Sequence, residues 1–391
     1  MKDVTPKYKL QLNGKFAYDY THYLSRDTVQ FLQENVTKKM QFDNTYYQQD
    51  WYLSVVNMYS ILPVWDVSLS VDFQYNKLNA VMRGVGTPFT FPQRYTTWAA
   101  LATALNLGKW KLQADVLGTF VIEKVRNNVQ APDKSELSPA FIVGYKPFCN
   151  HDFNLRAFYK RIFRLPTFND LYYAQIGFSQ LNPEFTDQFN IGGSYQKTFK
   201  KGFIDRISVQ ADIYYAAITD KIIAAPTGSS FRWMMTNMGK VESKGVDVSA
   251  AVFGHAGPVR MNANLSYSFA KAQDFTKING KKLSSYGDQI PYTPWHSGSV
   301  IAGVEYGTWT LNYSFIYVGE RYNGAVNNIP RNYVEPWYTH DFSLQKEFRI
   351  RSRYLLKTSV EMNNALNQYY DVVLNYPMPG RNFRFIVSLS L

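Results

Sequence analysis

No run of about 18 apolar residues occurs anywhere in this 391-residue chain, which excludes membrane-spanning helices. Mean hydropathy is −0.30, although hydrophobic residues make up an ordinary 46%. The apolar side chains are therefore dispersed. Dispersal does not exclude a spanning barrel, whose strands place only every second residue in lipid. Cysteine is nearly absent. Cys149 is the one thiol, so no intrachain disulfide can form. Within Phe148-Cys149-Asn150-His151 it reads as part of a tight turn. Histidine is scarce as well. His22, His151, His255, His296 and His340 show no metal-ligand spacing with cysteine or carboxylates, so neither a metal nor a cofactor is expected. There is no Gly-x-Ser-x-Gly elbow and no phosphate-cradling glycine loop. His22 and Ser25 lie close in what reads as an outward loop, but no acidic third member stands out. No catalytic residue is named, and an enzyme is not expected. The start, Met1-Lys2-Asp3-Val4-Thr5-Pro6, lacks the apolar core of a secretory signal. A chain of this kind bound for an outer membrane has lost its signal or belongs to a longer one.

What is abundant is aromatic. Phe, Tyr and Trp make up 17% of the chain, with 30 Tyr and 27 Phe. Soluble folds rarely need so many, while membrane barrels use them as girdles at both interfaces. Net charge is +12, yet the cations are spread along the chain among Asp and Glu. Nucleic-acid binding needs them clustered and is not expected. A basic barrel facing anionic headgroups is electrostatically sensible.

Period-two alternation recurs along the whole length. In 381–391, Phe383, Phe385, Val387 and Leu389 oppose Arg384, Ser388 and Ser390. In 259–269, Val259, Met261, Ala263, Leu265, Tyr267 and Phe269 oppose Arg260, Asn262, Asn264, Ser266 and Ser268. About sixteen such segments can be read: 7–21, 43–60, 64–78, 93–107, 109–123, 138–149, 151–163, 185–199, 203–223, 231–253, 258–272, 294–306, 308–319, 337–350, 352–366 and 381–391. Their connections alternate between short and long. Short ones fall near Pro63, Gly108, Asn150, Gly202, His255, Gly307 and Arg351; long ones cover 22–42, 79–92, 124–137, 164–184, 224–230, 273–293, 320–336 and 367–380. Tight turns on the periplasmic side and long loops outside are what a membrane barrel demands. The expected fold is all-β: a transmembrane antiparallel β-barrel with short periplasmic turns and long extracellular loops. The alternatives are a soluble all-β module such as a propeller and a passive sixteen-stranded pore. The aromatic and amide-rich loops make Phe231, Arg232, Trp233, Tyr286, Arg321 and Tyr322 candidate substrate-binding residues. Girdle aromatics at the headgroups would account for the aromatic ones singly.

A family resemblance rests on an ordered series of short motifs. Phe163-Arg164-Leu165-Pro166-Thr167 runs on to Leu171-Tyr172; Leu181-Asn182-Pro183-Glu184 follows, then Gln188-Phe189-Asn190-Ile191-Gly192. Asn237 to Val246, Tyr292-Thr293-Pro294-Trp295, Asn363 to Tyr370, and Tyr376 to Pro379-Gly380-Arg381 complete the series. Each motif is weak alone. Together and in this order, over about 150–391, they resemble the TonB-dependent receptors of the Gram-negative outer membrane.

That resemblance implies a 22-stranded barrel closed by a plug domain. No plug is recognisable here, and about six strands are wanting. The expectation is that 1–391 is the C-terminal portion of a receptor barrel, truncated or partial, with the plug domain absent. The resemblance further implies a multi-pass barrel in the cell outer membrane. Its implied role is uptake of a scarce nutrient: an iron chelate, a corrinoid or an oligosaccharide. The implied partners are outer-membrane lipid, lipopolysaccharide, the nutrient, and the TonB complex acting through a plug outside this chain. A passive sixteen-stranded porin-like channel remains the alternative.

Overall fold

A computed structural model describes residues 2–31, 36–83, 88–173, 177–226, 233–350 and 354–390; side chains at 2–4, 25–31, 36–42, 225–226 and 233 lie outside the description. Strand covers 73% and helix 3%. The order begins β1 (Lys2–Thr5), β2 (Tyr8–Phe31), β3 (Val36–Leu62), β4 (Trp65–Arg83), β5 (Gln93–Leu107), β6 (Trp110–Lys124), β7 (Lys134–Tyr145) and β8 (Asp152–Arg164). Helix α1 (Phe168–Tyr172) precedes β9 (Glu184–Thr198), β10 (Ile204–Pro226), β11 (Trp233–Ala256) and β12 (Val259–Asp274). Then come β13 (Lys277–Ile278), β14 (Lys281–Lys282), β15 (His296–Tyr306), β16 (Trp309–Val318), β17 (Arg321–Tyr322), α2 (Ile329–Asn332) and β18 (Tyr333–Val334). The chain closes with β19 (Trp337–Ile350), β20 (Tyr354–Asn363), β21 (Asp371–Val373), β22 (Tyr376–Pro377) and β23 (Asn382–Ser390). The sixteen long strands and β1 belong to one 17-stranded sheet; the six short strands form three hairpins. Among the described residues no helix is long and apolar enough to cross a membrane.

Contacts divide the chain into two units. The first comprises Met1–Val143, Lys160–Thr186 and Asp220–Met238; the second comprises Gly144–Tyr159, Asp187–Thr219 and Gly239–Leu391.

In the first unit β2 to β6 form an antiparallel meander. Its register sorts the side chains by face. One row reads Leu12, Val55, Val71, Ala99 and Gly118; the next position over gives Asn13, Ser54, Asp72, Trp98 and Thr119. Further along the apolar face, Phe16, Trp51, Tyr75 and Tyr95 stand side by side. Phe16 and Trp51 rings are 4.4 Å apart, and Tyr75 and Tyr95 are 4.9 Å apart. Such cross-strand aromatic pairs stabilise a sheet face by a few tenths to about 1 kcal/mol each.

The second unit repeats the rule. Met261, Val304, Leu311, Leu344, Val360 and Phe385 form one row across β12, β15, β16, β19, β20 and β23. One step away Asn262, Gly303, Asn312, Ser343, Glu361 and Arg384 form a polar row. Tyr267, Tyr317 and Tyr338 mark one end of the apolar face, and Tyr306 and Trp309 mark the other. From Trp309 to Tyr317 is eight residues on β16. At about 3.3 Å per residue that is roughly 26 Å along the strand. Tilted by about 40° it spans about 20 Å, close to the roughly 25 Å apolar band of an outer-membrane barrel.

This apolar face is uncovered by protein. Leu12 is 63% exposed and Phe385 is 68% exposed. Water on such a face would forfeit roughly 25 cal/mol for each Å² that hydrocarbon would cover.

The expected strands all appear. The expected loop 22–42 does not: β2 and β3 continue in unbroken register from Tyr8↔Tyr59 to Phe31↔Val36. Beyond the lipid neither face needs to be apolar. The alternation therefore fades along Thr21, His22, Arg26, Asp27, Lys38 and Lys39, while backbone pairing carries on. The connection 164–184 contains α1, 273–293 contains the β13–β14 hairpin, and 367–380 contains β21 and β22. The short turns follow the reading at the described positions; the turn near Arg351 and most of the long connection 224–230 lie outside the described residues. Gly108 and Gly307 adopt φ of 61° and 60°, where a side chain would be strained.

Candidate functional site

The loop-bearing end of each unit is wired by side chains.

In the first unit, register places Arg94 of β5 opposite Glu123 of β6. Arg94 Nε donates to Glu123 Oε1 at 2.5 Å, and Nη1 donates to the Pro166 carbonyl at 2.9 Å. The two side chains are 10% and 2% exposed. The guanidinium carbon also lies 5.0 Å from the Phe168 ring centre. Helix α1 begins there because Thr167 caps it: Asp170 N donates to Thr167 Oγ1, and Thr167 N donates to the Asp170 carboxylate. Arg164 Nη1 donates to Glu184 at 3.2 Å, and Glu184 also accepts from Ile222 N at 3.0 Å. Leu171 and Tyr172 pack with Tyr46, Leu78, Phe89, Leu181 and Ile222. Burial, then the nearby Glu123 charge, pushes the Tyr172 phenol up to about 12.

The motif residues Arg164, Pro166, Thr167, Leu171, Tyr172 and Glu184 thus fasten one corner, with Pro183 buried beside them. Phe163 stands apart from them, its ring 5.3 Å from Phe185.

In the second unit, Asp274 ends β12 and is buried. It accepts from Thr276 N and Oγ1 and from Ser285 Oγ. Gln289 and Asn327 exchange backbone and amide hydrogen bonds, tying 288–289 to 327. Arg321, only 4% exposed, donates to the carbonyls of Glu335, Asp371 and Val372. Burial pulls its guanidinium below the usual arginine range. Tyr322 packs edge-on against Tyr333 at 5.6 Å. Near the chain end, Arg381 N donates to Asn367 Oδ1. A Cβ on Gly380 would lie 2.7 Å from that oxygen, which is why glycine follows Pro379.

On this platform lies a cleft of about 650 Å³ lined by Gly239, Lys240, Glu242, Phe275, Thr276, Lys277 and Tyr286. The Tyr286 ring stands edge-on to Phe275 at 5.3 Å. Lys282 Nζ is 4.4 Å and Lys277 Nζ 5.9 Å from its centre. Lys240 Nζ meets Glu242 at 2.7 Å. The two glycines of the 237–246 motif have distinct duties. A Cβ on Gly239 would press on Thr276, while one on Gly245 would run into the Phe269 carbonyl and the Tyr214 ring. A cleft of lysines around an aromatic ring attracts anionic and planar groups.

Of the six residues read as ligand-binding, the structure brings Tyr286 to this cleft. Arg321 and Tyr322 belong to the loop clamp. Phe231 and Arg232, and the Trp233 side chain, lie outside the described residues. Lys240, Lys277 and Lys282 were missed. Their signal was the Lys277–Lys282 hairpin with its Asn279-Gly280 turn.

His22 hydrogen-bonds Asp43 at 2.7 Å. Read as part of an outward loop, His22 falls inside β2, as does the backbone of Ser25, whose side chain lies outside the description.

Alternating faces, aromatic bands at both ends of an apolar face, and wired loops beyond one end define a transmembrane strand protein of the outer-membrane class. The family model "TonB dependent receptor-like, beta-barrel" matches residues 3–365, and the chain belongs to that family. Over 88 residues it is 28% identical to the vitamin B12 transporter BtuB of Vibrio vulnificus (strain YJ016), a stretch covering 22% of this chain and 13% of that protein. Among solved structures, the unliganded ferric citrate transporter FecA matches with a TM-score of 0.71 at 14% identity, covering 99% of this chain and 59% of that one. The copper transporter OprC matches at 0.72 and 15%, covering 99% and 63%. The FrpB iron transporter from Neisseria meningitidis matches at 0.68 and 14%, covering 99% and 61%. The chain spans about three fifths of the length of these structures. Proteins of this family are receptors and transporters of the Gram-negative outer membrane, and not enzymes.

Proposed function

We propose that this chain is the C-terminal portion of the barrel of a receptor that takes up a scarce nutrient under drive from the TonB complex. A plug domain, supplied by a segment outside this chain, would couple that complex to the barrel. The nutrient is an iron chelate, a corrinoid or an oligosaccharide; the names of FecA and FrpB favour the first and that of BtuB the second. The observation that carries this reading is the family match over 3–365.

Tyr286 with Lys240, Lys277 and Lys282 forms part of the outer binding face; Phe231, Arg232 and Trp233 keep the substrate-binding role read from the sequence. Arg321 and Tyr322 hold the platform beneath. The cations favour an anionic chelate among the three classes. Outer-membrane lipid and lipopolysaccharide surround the barrel. Lys271, 4.9 Å from the Trp295 ring, and Lys124, 5.5 Å from Tyr95, suit lipopolysaccharide phosphates.

The test is accumulation of labelled ferric citrate, cyanocobalamin and maltooligosaccharide by cells with and without the gene. One of them is taken up only with the gene, and a protonophore stops the uptake. Protonophore-insensitive uptake, with a large open conductance of the purified chain in planar bilayers, would overturn the proposal in favour of a passive pore.

A further inference from the structure

The end of the second unit that carries the short turns presents a cation where the pattern calls for an apolar residue. Register aligns Tyr306, Trp309 and Lys346 in one row of the apolar face. The adjoining row, Val304, Leu311, Leu344, Val360 and Phe385, is wholly apolar. Lys346 therefore points toward lipid at the aromatic girdle. Its Nζ lies 4.1 Å from the Trp309 ring centre and 5.2 Å from that of Phe348. The nearby carboxylates cannot neutralise it. Glu305, Glu347 and Glu361 alternate onto the polar face, where they pair with Arg260 at 3.5 Å, Lys357 at 2.6 Å and Arg384 at 2.5 Å. Among the described residues no acid bridges to Lys346. A second lysine repeats the arrangement: Lys197 Nζ is 5.0 Å from Phe199, on the odd-numbered face of β9 that exposes Phe189 and Ile191.

A cation on the lipid face is tolerated near the interface and needs an anion there. Short turns face the periplasm, so the anion comes from the inner leaflet. We propose that Lys346, with Trp309, Tyr306 and Phe348, is a binding site for the headgroup phosphate of an anionic glycerophospholipid, and that Lys197 with Phe199 is a second, weaker one. The ring faces hold the ammonium at headgroup depth, and the neighbouring apolar row receives the acyl chain. A zwitterionic lipid carries its own cation beside the phosphate, so the site discriminates by charge.

The test is native mass spectrometry of the purified full chain with phosphatidylglycerol, phosphatidylcholine or lipid A added separately. Heat-modifiable electrophoretic mobility confirms the fold of each variant. Lys346→Gln is expected to lower phosphatidylglycerol retention about five-fold, the value of one cation near an anionic surface. Phosphatidylcholine retention stays unchanged, and Lys346→Arg behaves as wild type. Lys197→Gln gives a smaller loss and carries the test if Lys346→Gln does not fold. Unchanged phosphatidylglycerol retention overturns the proposal. So does a parallel loss of phosphatidylcholine, which would mean apolar contact alone, or a loss confined to lipid A, which would place the cation in the outer leaflet.

Discussion

Arg94→Ala isolates the corner that fastens α1. Arg94 gives one hydrogen bond and an ion pair to a carboxylate that is 2% exposed, and one hydrogen bond to the Pro166 carbonyl. Removing one member of a buried ion pair strands the other, at a cost of about 3–5 kcal/mol. The contact with Phe168 adds about 0.5–2 kcal/mol. Arg94→Ala should therefore destabilise the first unit by about 4–6 kcal/mol. Replacing the pair together with apolar residues of similar volume, Arg94→Met with Glu123→Leu, removes the stranded charge and should cost about 0–2 kcal/mol. The Pro166 carbonyl and the Phe168 ring are the partners still lost. Urea unfolding in detergent micelles, read by heat-modifiable mobility, measures both. A double variant as damaged as Arg94→Ala would refute the reasoning, because the cost would then lie in lost contacts and not in an unpaired buried charge.

Three further outcomes follow from the same geometry. The Tyr172 phenol titrates near 12 in the folded chain and near 10 when unfolded. The folded state therefore holds the proton more tightly, so stability is level below about pH 10 and falls by about 2–3 kcal/mol as pH rises to 12. Tyr172→Phe removes that slope, and urea midpoints against pH will read it. Gly245→Ala drives a Cβ into the backbone carbonyl of Phe269; backbone cannot swing aside, so a loss of about 1–3 kcal/mol is expected and trimming Tyr214 will not restore it. Cys149 is exposed in the turn between β7 and β8. A bulky, membrane-impermeant maleimide should label it after the outer membrane is breached and not in intact cells; labelling of intact cells would reverse the orientation.

The sixteen strands were legible because hydrocarbon imposes its rule residue by residue. Once one face of a strand must be apolar, period two appears in the sequence whatever its neighbours are. The turn glycines Gly108 and Gly307 were equally visible, since each answers a local backbone demand. Legibility ended where lipid ended. The outer reaches of β2 and β3 obey backbone pairing alone, which leaves no mark on side-chain pattern. Arg321 looked like a ligand-binding cation because sequence records a residue's charge and not its burial.

Sequence by itself determined the alternation, the girdles and the family, because each is set by local spacing or by ordered short motifs. Only the tertiary structure decided which charges meet. The distances between Arg94 and Glu123, between Asp274 and Ser285, and between Lys346 and Trp309 depend on strand register. Register is a property of two chain segments at once, and neither segment carries it alone.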